Sequence, residues 1–110
     1  MQELIEIADE IRAKVKLLEI GRKELQGKAI NKANSIAEYD KSLAIAIIRH
    51  KDSGKFPATL IEKIAKGDCY KERATAELAD AEYKLTITKM NAIQAELNGF
   101  QSIYRHLDIN

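Results

Sequence analysis

The chain has 110 residues, of which 45% are hydrophobic, 32% charged and 5% aromatic, with five glycines, one proline, one cysteine and no tryptophan. So little turn punctuation excludes a β-sandwich or barrel, and the abundance of Ala, Leu, Ile, Glu, Lys and Gln points to one small all-α domain. Eighteen Lys and Arg against seventeen Asp and Glu leave a net charge of +1, so total charge marks neither a basic nucleic-acid binder nor an acidic mimic.

The first residues, MQELIEIADE, are acidic where a secretory signal would be basic, and no run approaches the roughly 18 apolar residues of a membrane span. A cytoplasmic protein without membrane contact is expected. From Leu4 the apolar positions Leu4, Ala8, Ile11, Val15, Leu18, Leu25, Ala29, Ile36 and Leu43 have amphipathic spacing and predict a helix over residues 2–51. Glu3, Glu6, Asp9 and Glu10 complement the positive end of its dipole. Gly21, Gly27, Asn31, Asn34 and Ser35 weaken it, each glycine by about 1 kcal/mol relative to Ala, so a kink is expected at residues 27–35. The stretch GRKELQGK resembles a phosphate-binding loop only superficially. Its glycines are six apart where five are required, Ala29 replaces the metal-binding hydroxyl, and no strand precedes it. Its glycines read as weak points or as places where helices approach closely.

The segment SLAIAIIRH, Ser42 to His50, is apolar nearly all round and is expected to be covered on more than one side. Asp52, Ser53 and Gly54 supply turn chemistry, Pro57 biases Phe56 toward extended backbone, and the chain should reverse. Thr59 and Glu62 have capping-box spacing for a short helix over residues 59–66. Gly67 is expected to end it in a left-handed conformation, with Asp68 capping the next helix. Cys69 has no partner for a disulfide or a metal pair and reads as a half-buried thiol.

The final helix, predicted over residues 69–107, has the most regular pattern: Ala79, Tyr83, Thr86, Met90, Ile93, Leu97, Phe100, Tyr104 and Leu107, in steps of four and three. This is a coiled-coil-like seam, with Met90, Ile93, Leu97, Phe100, Tyr104 and Leu107 as its interacting residues. A helix of about 58 Å cannot bury such a seam alone. Folding the first helix back along it, with the short helix at the turn, gives an antiparallel hairpin. Two helices still leave Ile5, Ile7, Leu17, Ile20, Ile30, Ile45, Ile48, Leu78, Leu85, Ile87 and Ile103 in excess of one seam. The predicted architecture is therefore a hairpin that pairs into a four-helix homodimer. The competing solution is a monomer bent at residues 27–35 into four shorter helices.

Catalytic constellations are lacking in the sequence. His50 and His106 lie near helix ends, and the residues three before them are Ile47 and Ile103, which breaks the Glu-x-x-His pattern of a di-iron bundle. Cysteine and histidine do not cluster for zinc, and no carboxylate pair sits in a visibly apolar setting. A non-enzymatic protein without metal or cofactor is expected, working through a protein partner. Seven basic residues between Arg12 and Lys32 outnumber Glu19 and Glu24, and Arg12, Lys16, Arg22, Lys23 and Lys28 are the candidate phosphate contacts of an alternative nucleic-acid-binding reading. A second basic group, Arg49, Lys51, Lys55, Lys63 and Lys66, surrounds the turn, where Phe56, Leu60 and Lys63 form a candidate recognition tip.

The succession of EYDKSLAIAI, KFPATLIEKIAKGDCYKE and a terminal helix ending FQSIYRHLD resembles small, uncharacterised helical proteins of bacteriophages and prophages of Gram-positive bacteria. The resemblance implies an accessory role during phage growth in the host cytoplasm, at nucleic-acid-processing complexes or against a host defence protein. It carries no site residues with it.

Overall fold

A computed structural model describes residues 1–109 and contains three helices: α1 (Gln2–Ser53), α2 (Ala58–Asp68) and α3 (Tyr70–Ile109). The stretch 27–35, where glycines and asparagines predict a kink, stays helical, so the chain does not divide into four shorter helices. The cost of a glycine is about 1 kcal/mol. Lys28 and Lys32 reach carboxylates of α3 from this stretch and Ser35 is buried in it, so tertiary packing supports the helix where local propensity is weak.

The turn is built from local chemistry. Ser53 donates its hydroxyl to the carbonyl of His50 at 2.8 Å and accepts the N–H of Lys55 at 3.3 Å, ending α1. Gly54 follows with φ of 66°, a left-handed conformation that glycine adopts without Cβ strain. Pro57 then enters α2 at φ −58° and ψ 144°, and its carbonyl accepts the N–H of Leu60 at 2.9 Å. The proline starts the helix, and no side chain caps it. Thr59 consequently lies inside the first turn and does not form the expected capping box. Gly67 also departs from expectation: it is helical, α2 continues to Asp68, and Cys69 closes it with φ −96°. Its N–H reaches the carbonyl of Ala65 at 3.1 Å. Asp68 turns its carboxylate to His50 and Arg49 instead of capping α3.

The chain forms two compact units. The first takes in Met1–Gly27 and the chain from Lys84 onward. Within it α1 and α3 run antiparallel, as Lys14 meets Glu96 at 2.8 Å and Glu24 meets Lys89 at 3.3 Å. Leu18, Gly21, Thr86 and Leu97 are its buried residues. The second unit is Lys28–Tyr83. Lys28 meets Glu82 at 3.1 Å and Lys32 meets Asp80 at 2.9 Å, so α1 and α3 are antiparallel here also. Its core is made mainly of small side chains: Ala46, Ala65 and Cys69 pack together under Tyr39, Leu43 and Ile47, and Ile61, Ala76 and Ala79 are buried as well.

On α1 the covered positions follow the hydropathy pattern except at Val15 and Ile36. Buried and half-buried residues recur at Leu4, Ile7, Ile11, Lys14, Leu18, Gly21, Leu25, Lys28, Lys32, Ser35, Tyr39, Ser42 and Ala46, again in steps of three and four. Val15 and Ile36, expected on the covered stripe, are each 40% exposed, and Lys14 and Ser35 take their places. A lysine serves there because its alkyl stem lies along the seam while its ammonium reaches a carboxylate of α3. The segment Ser42 to His50 is likewise covered on one side only within the chain, since Ile45 and Ile48 remain exposed beside buried Ala46.

Candidate functional site

The expected seam is occupied by the chain itself. Leu97 is buried, and Met90, Ile93, Phe100, Tyr104 and Leu107 are half-buried. Met90 lies directly on Gly21 of α1, where a Cβ would come within 3.1 Å of its Cγ. Gly21 is therefore a point of close helix approach.

Large apolar side chains remain outside this packing. In the first unit they include Ile5, Val15, Leu17, Ile20, Leu85 and Ile103, and in the second Ile30, Ile36, Ile45, Ile48, Leu60 and Leu78. Away from the chain ends Leu85 is the most exposed of these at 68%. No large side chain among the described residues is fully buried. The chain thus covers its small residues and leaves much of its isoleucine and leucine open to water.

The basic stretch splits into two groups. Lys14, Lys28 and Lys32 hold α1 to α3 through Glu96, Glu82 and Asp80, and Arg12 pairs with Asp9 on its own helix at 2.9 Å. The hydrogen bond to Glu96 raises the pKa of Lys14, with the charges of Glu96 and Glu10 adding to it against the desolvation of burial. Lys16, Arg22 and Lys23 have no ion-pair partner among the described residues and line an open depression with Glu19 and Ile20. Two of the five candidate phosphate contacts, Arg12 and Lys28, are thus engaged within the fold.

At the turn, Phe56, Leu60 and Lys63 are all exposed. Phe56 meets the edge of the His50 ring at a centroid distance of 5.5 Å. His50 Nε2 is 2.6 Å from Asp68 Oδ2, and Arg49 donates to the same oxygen from 3.2 Å. These bonds tie the end of α1 to the end of α2. The hydrogen bond from His50 holds the Asp68 carboxyl below the usual carboxylate range, helped by the charges of His50 and Arg49. Burial pushes the Cys69 thiol up, and the charges of Glu72 and Asp68 reinforce the effect, so it is a poor nucleophile.

Beside this cluster, α2 and the start of α3 enclose an open cleft of about 430 Å³, lined by Lys63, Lys66, Gly67, Tyr70, Arg73 and Glu77 among others. The sequence pattern places Lys63 at the tip but gives no role to Tyr70 or Arg73. The spacing 63, 66, 70, 73 and 77 keeps steps of three and four, but the break at Cys69 puts the first two on α2 and the rest on α3, so the spacing alone does not bring them together.

Among the described residues no group of three or more His, Cys, Asp or Glu side chains could hold a metal ion, and no helix is long and apolar enough to cross a membrane. No protein-family model matches the chain, and no curated protein or solved structure matches it.

Proposed function

We propose that this protein is a non-enzymatic helical interaction module that pairs with a second copy of itself and presents the resulting bundle to a protein partner. The observation that carries this reading is the set of large exposed apolar side chains outside the α1–α3 seam. Burying a residue such as Leu85 or Ile20 contributes roughly 1.5–3 kcal/mol, so covering even a few of them is comparable to the stability of a small domain. A four-helix homodimer is the economical arrangement, because two-fold pairing covers the same faces on both copies at once. The likeness to phage and prophage proteins adds a setting, an accessory role toward a host or phage nucleic-acid-processing or defence protein.

Sedimentation equilibrium tests the pairing. The expected mass is twice that of the 12.4 kDa chain, falling to one chain in the combined Ile20→Glu and Leu85→Glu variant with helicity retained. A wild-type protein that sediments as a single chain at high micromolar concentration would overturn the reading.

A further inference from the structure

Of the basic residues in the stretch 12–32, Lys14, Lys28 and Lys32 are committed to holding α1 to α3, whereas those beside the α2–α3 cleft cross to no other helix among the described residues. Lys63 has no ion-pair partner among the described residues. Lys66 pairs with Glu62 at 3.1 Å and Arg73 with Glu77 at 3.0 Å, both on their own helices and at the surface. Exposed pairs of this kind contribute little, so a phosphate can displace either carboxylate at small cost. Tyr70 stands on the rim with 62% of its surface exposed. Gly67 leaves the floor between the lysines and the ring open, as a Cβ there would meet nothing within 4 Å.

Three cations beside a largely exposed aromatic ring, over which the Lys71 ammonium stands 5.9 Å from the centroid, surround a cleft of about 430 Å³ and combine the two elements that hold a single nucleic-acid strand: charge for the phosphates and a flat face for a base. The depression at Lys16, Arg22 and Lys23 has cations but no ring. We propose that the cleft between α2 and α3 binds single-stranded nucleic acid, with backbone phosphates on Lys63, Lys66 and Arg73 and one base stacked on Tyr70. This goes beyond the pairing of chains and stands whether or not that pairing occurs, since every residue invoked belongs to one compact unit of one chain. It also moves nucleic-acid contact from the stretch 12–32 to the turn.

Fluorescence anisotropy with a labelled oligothymidylate tests this. The full chain is expected to bind at low salt and to lose affinity steeply as salt rises, because bound phosphates release counterions. Tyr70→Ala, and separately the double variant Lys63→Glu with Lys66→Glu, should each weaken binding by about tenfold or more, while Tyr70→Phe keeps the ring and retains it. The double variant Lys16→Glu with Lys23→Glu should leave affinity unchanged. All substituted positions are exposed, so each variant should keep wild-type helicity, which circular dichroism checks. Absence of binding at low salt, loss of binding only in the Lys16 and Lys23 variant, or capture of labelled polyglutamate in preference to the oligonucleotide would each overturn the proposal. The last outcome would identify an acidic-peptide site.

Discussion

At the scale of single residues, Gly21 and Asp68 carry more than their composition suggests. Gly21 lies in a helix, where glycine is costly, yet its missing side chain is the space that Met90 fills. Gly21→Leu should therefore lower stability by about 1–3 kcal/mol through overpacking, measured by urea unfolding. Gly21→Ala gains helix propensity but displaces Met90 by a few tenths of an ångström, and should be close to neutral. Asp68 is a different case, because its contribution depends on pH. Its carboxyl is lowered in the folded chain by the bond from His50, so the stabilisation is fully present above the ordinary carboxylate range. It is lost as pH falls through the lowered value. Thermal melts from neutral to strongly acidic pH should show wild type losing its advantage over Asp68→Asn at the acid end. An advantage that persisted undiminished at strongly acidic pH would contradict the bond.

At the scale of elements, the pairing of α1 with α3 is specified by a mixed seam. Leu97 is buried in it, and Leu97→Asp should cost about 3–5 kcal/mol because it puts a carboxylate where an apolar side chain is packed. Wild-type helicity and unfolding midpoint in this variant would contradict the heptad assignment. The lysines on α1 do something that leucines would not: they pair with acids at fixed places on α3 and so fix direction and register. A double-mutant cycle on Lys28 and Glu82, both partly exposed, should give a coupling of about 0.2–1 kcal/mol that shrinks with added salt. A salt-independent coupling would mean that packing, and not charge, holds the pair.

At the scale of the whole molecule, the balance between small buried residues and large exposed ones governs behaviour. The buried set is dominated by Ala46, Ala65, Ala76, Ala79, Ser35 and Thr86, whose transfer from water contributes little per residue. The proposed pairing of two copies would cover the remaining apolar faces and so link stability to concentration by mass action. The melting temperature should rise with protein concentration, read by circular dichroism over a hundredfold range. A constant value would place all of the stability in the single chain and count against self-association.

The sequence alone determined the all-helical class, the reversal around Gly54 and Pro57, and the covered stripe of α3 from Ala79 to Leu107, because each follows from backbone preference or from the 3.6-residue period. Hydropathy ranked Val15 and Ile36 above Lys14 and Ser35, and at these two places on α1 it misplaced the covered stripe, while Leu4, Ile11, Leu18, Leu25 and Leu43 are covered as expected. Only the tertiary structure supplies the acids of α3 that make a lysine acceptable in a seam. The same holds at the turn. Lys63 was legible as an exposed cation, but the near-contiguity of α2 and α3, which brings Tyr70 and Arg73 to the same cleft, depends on how one residue, Cys69, joins two helices. Local rules set which segments coil; partners distant in the chain set which faces are covered, because burial is decided by what lies opposite.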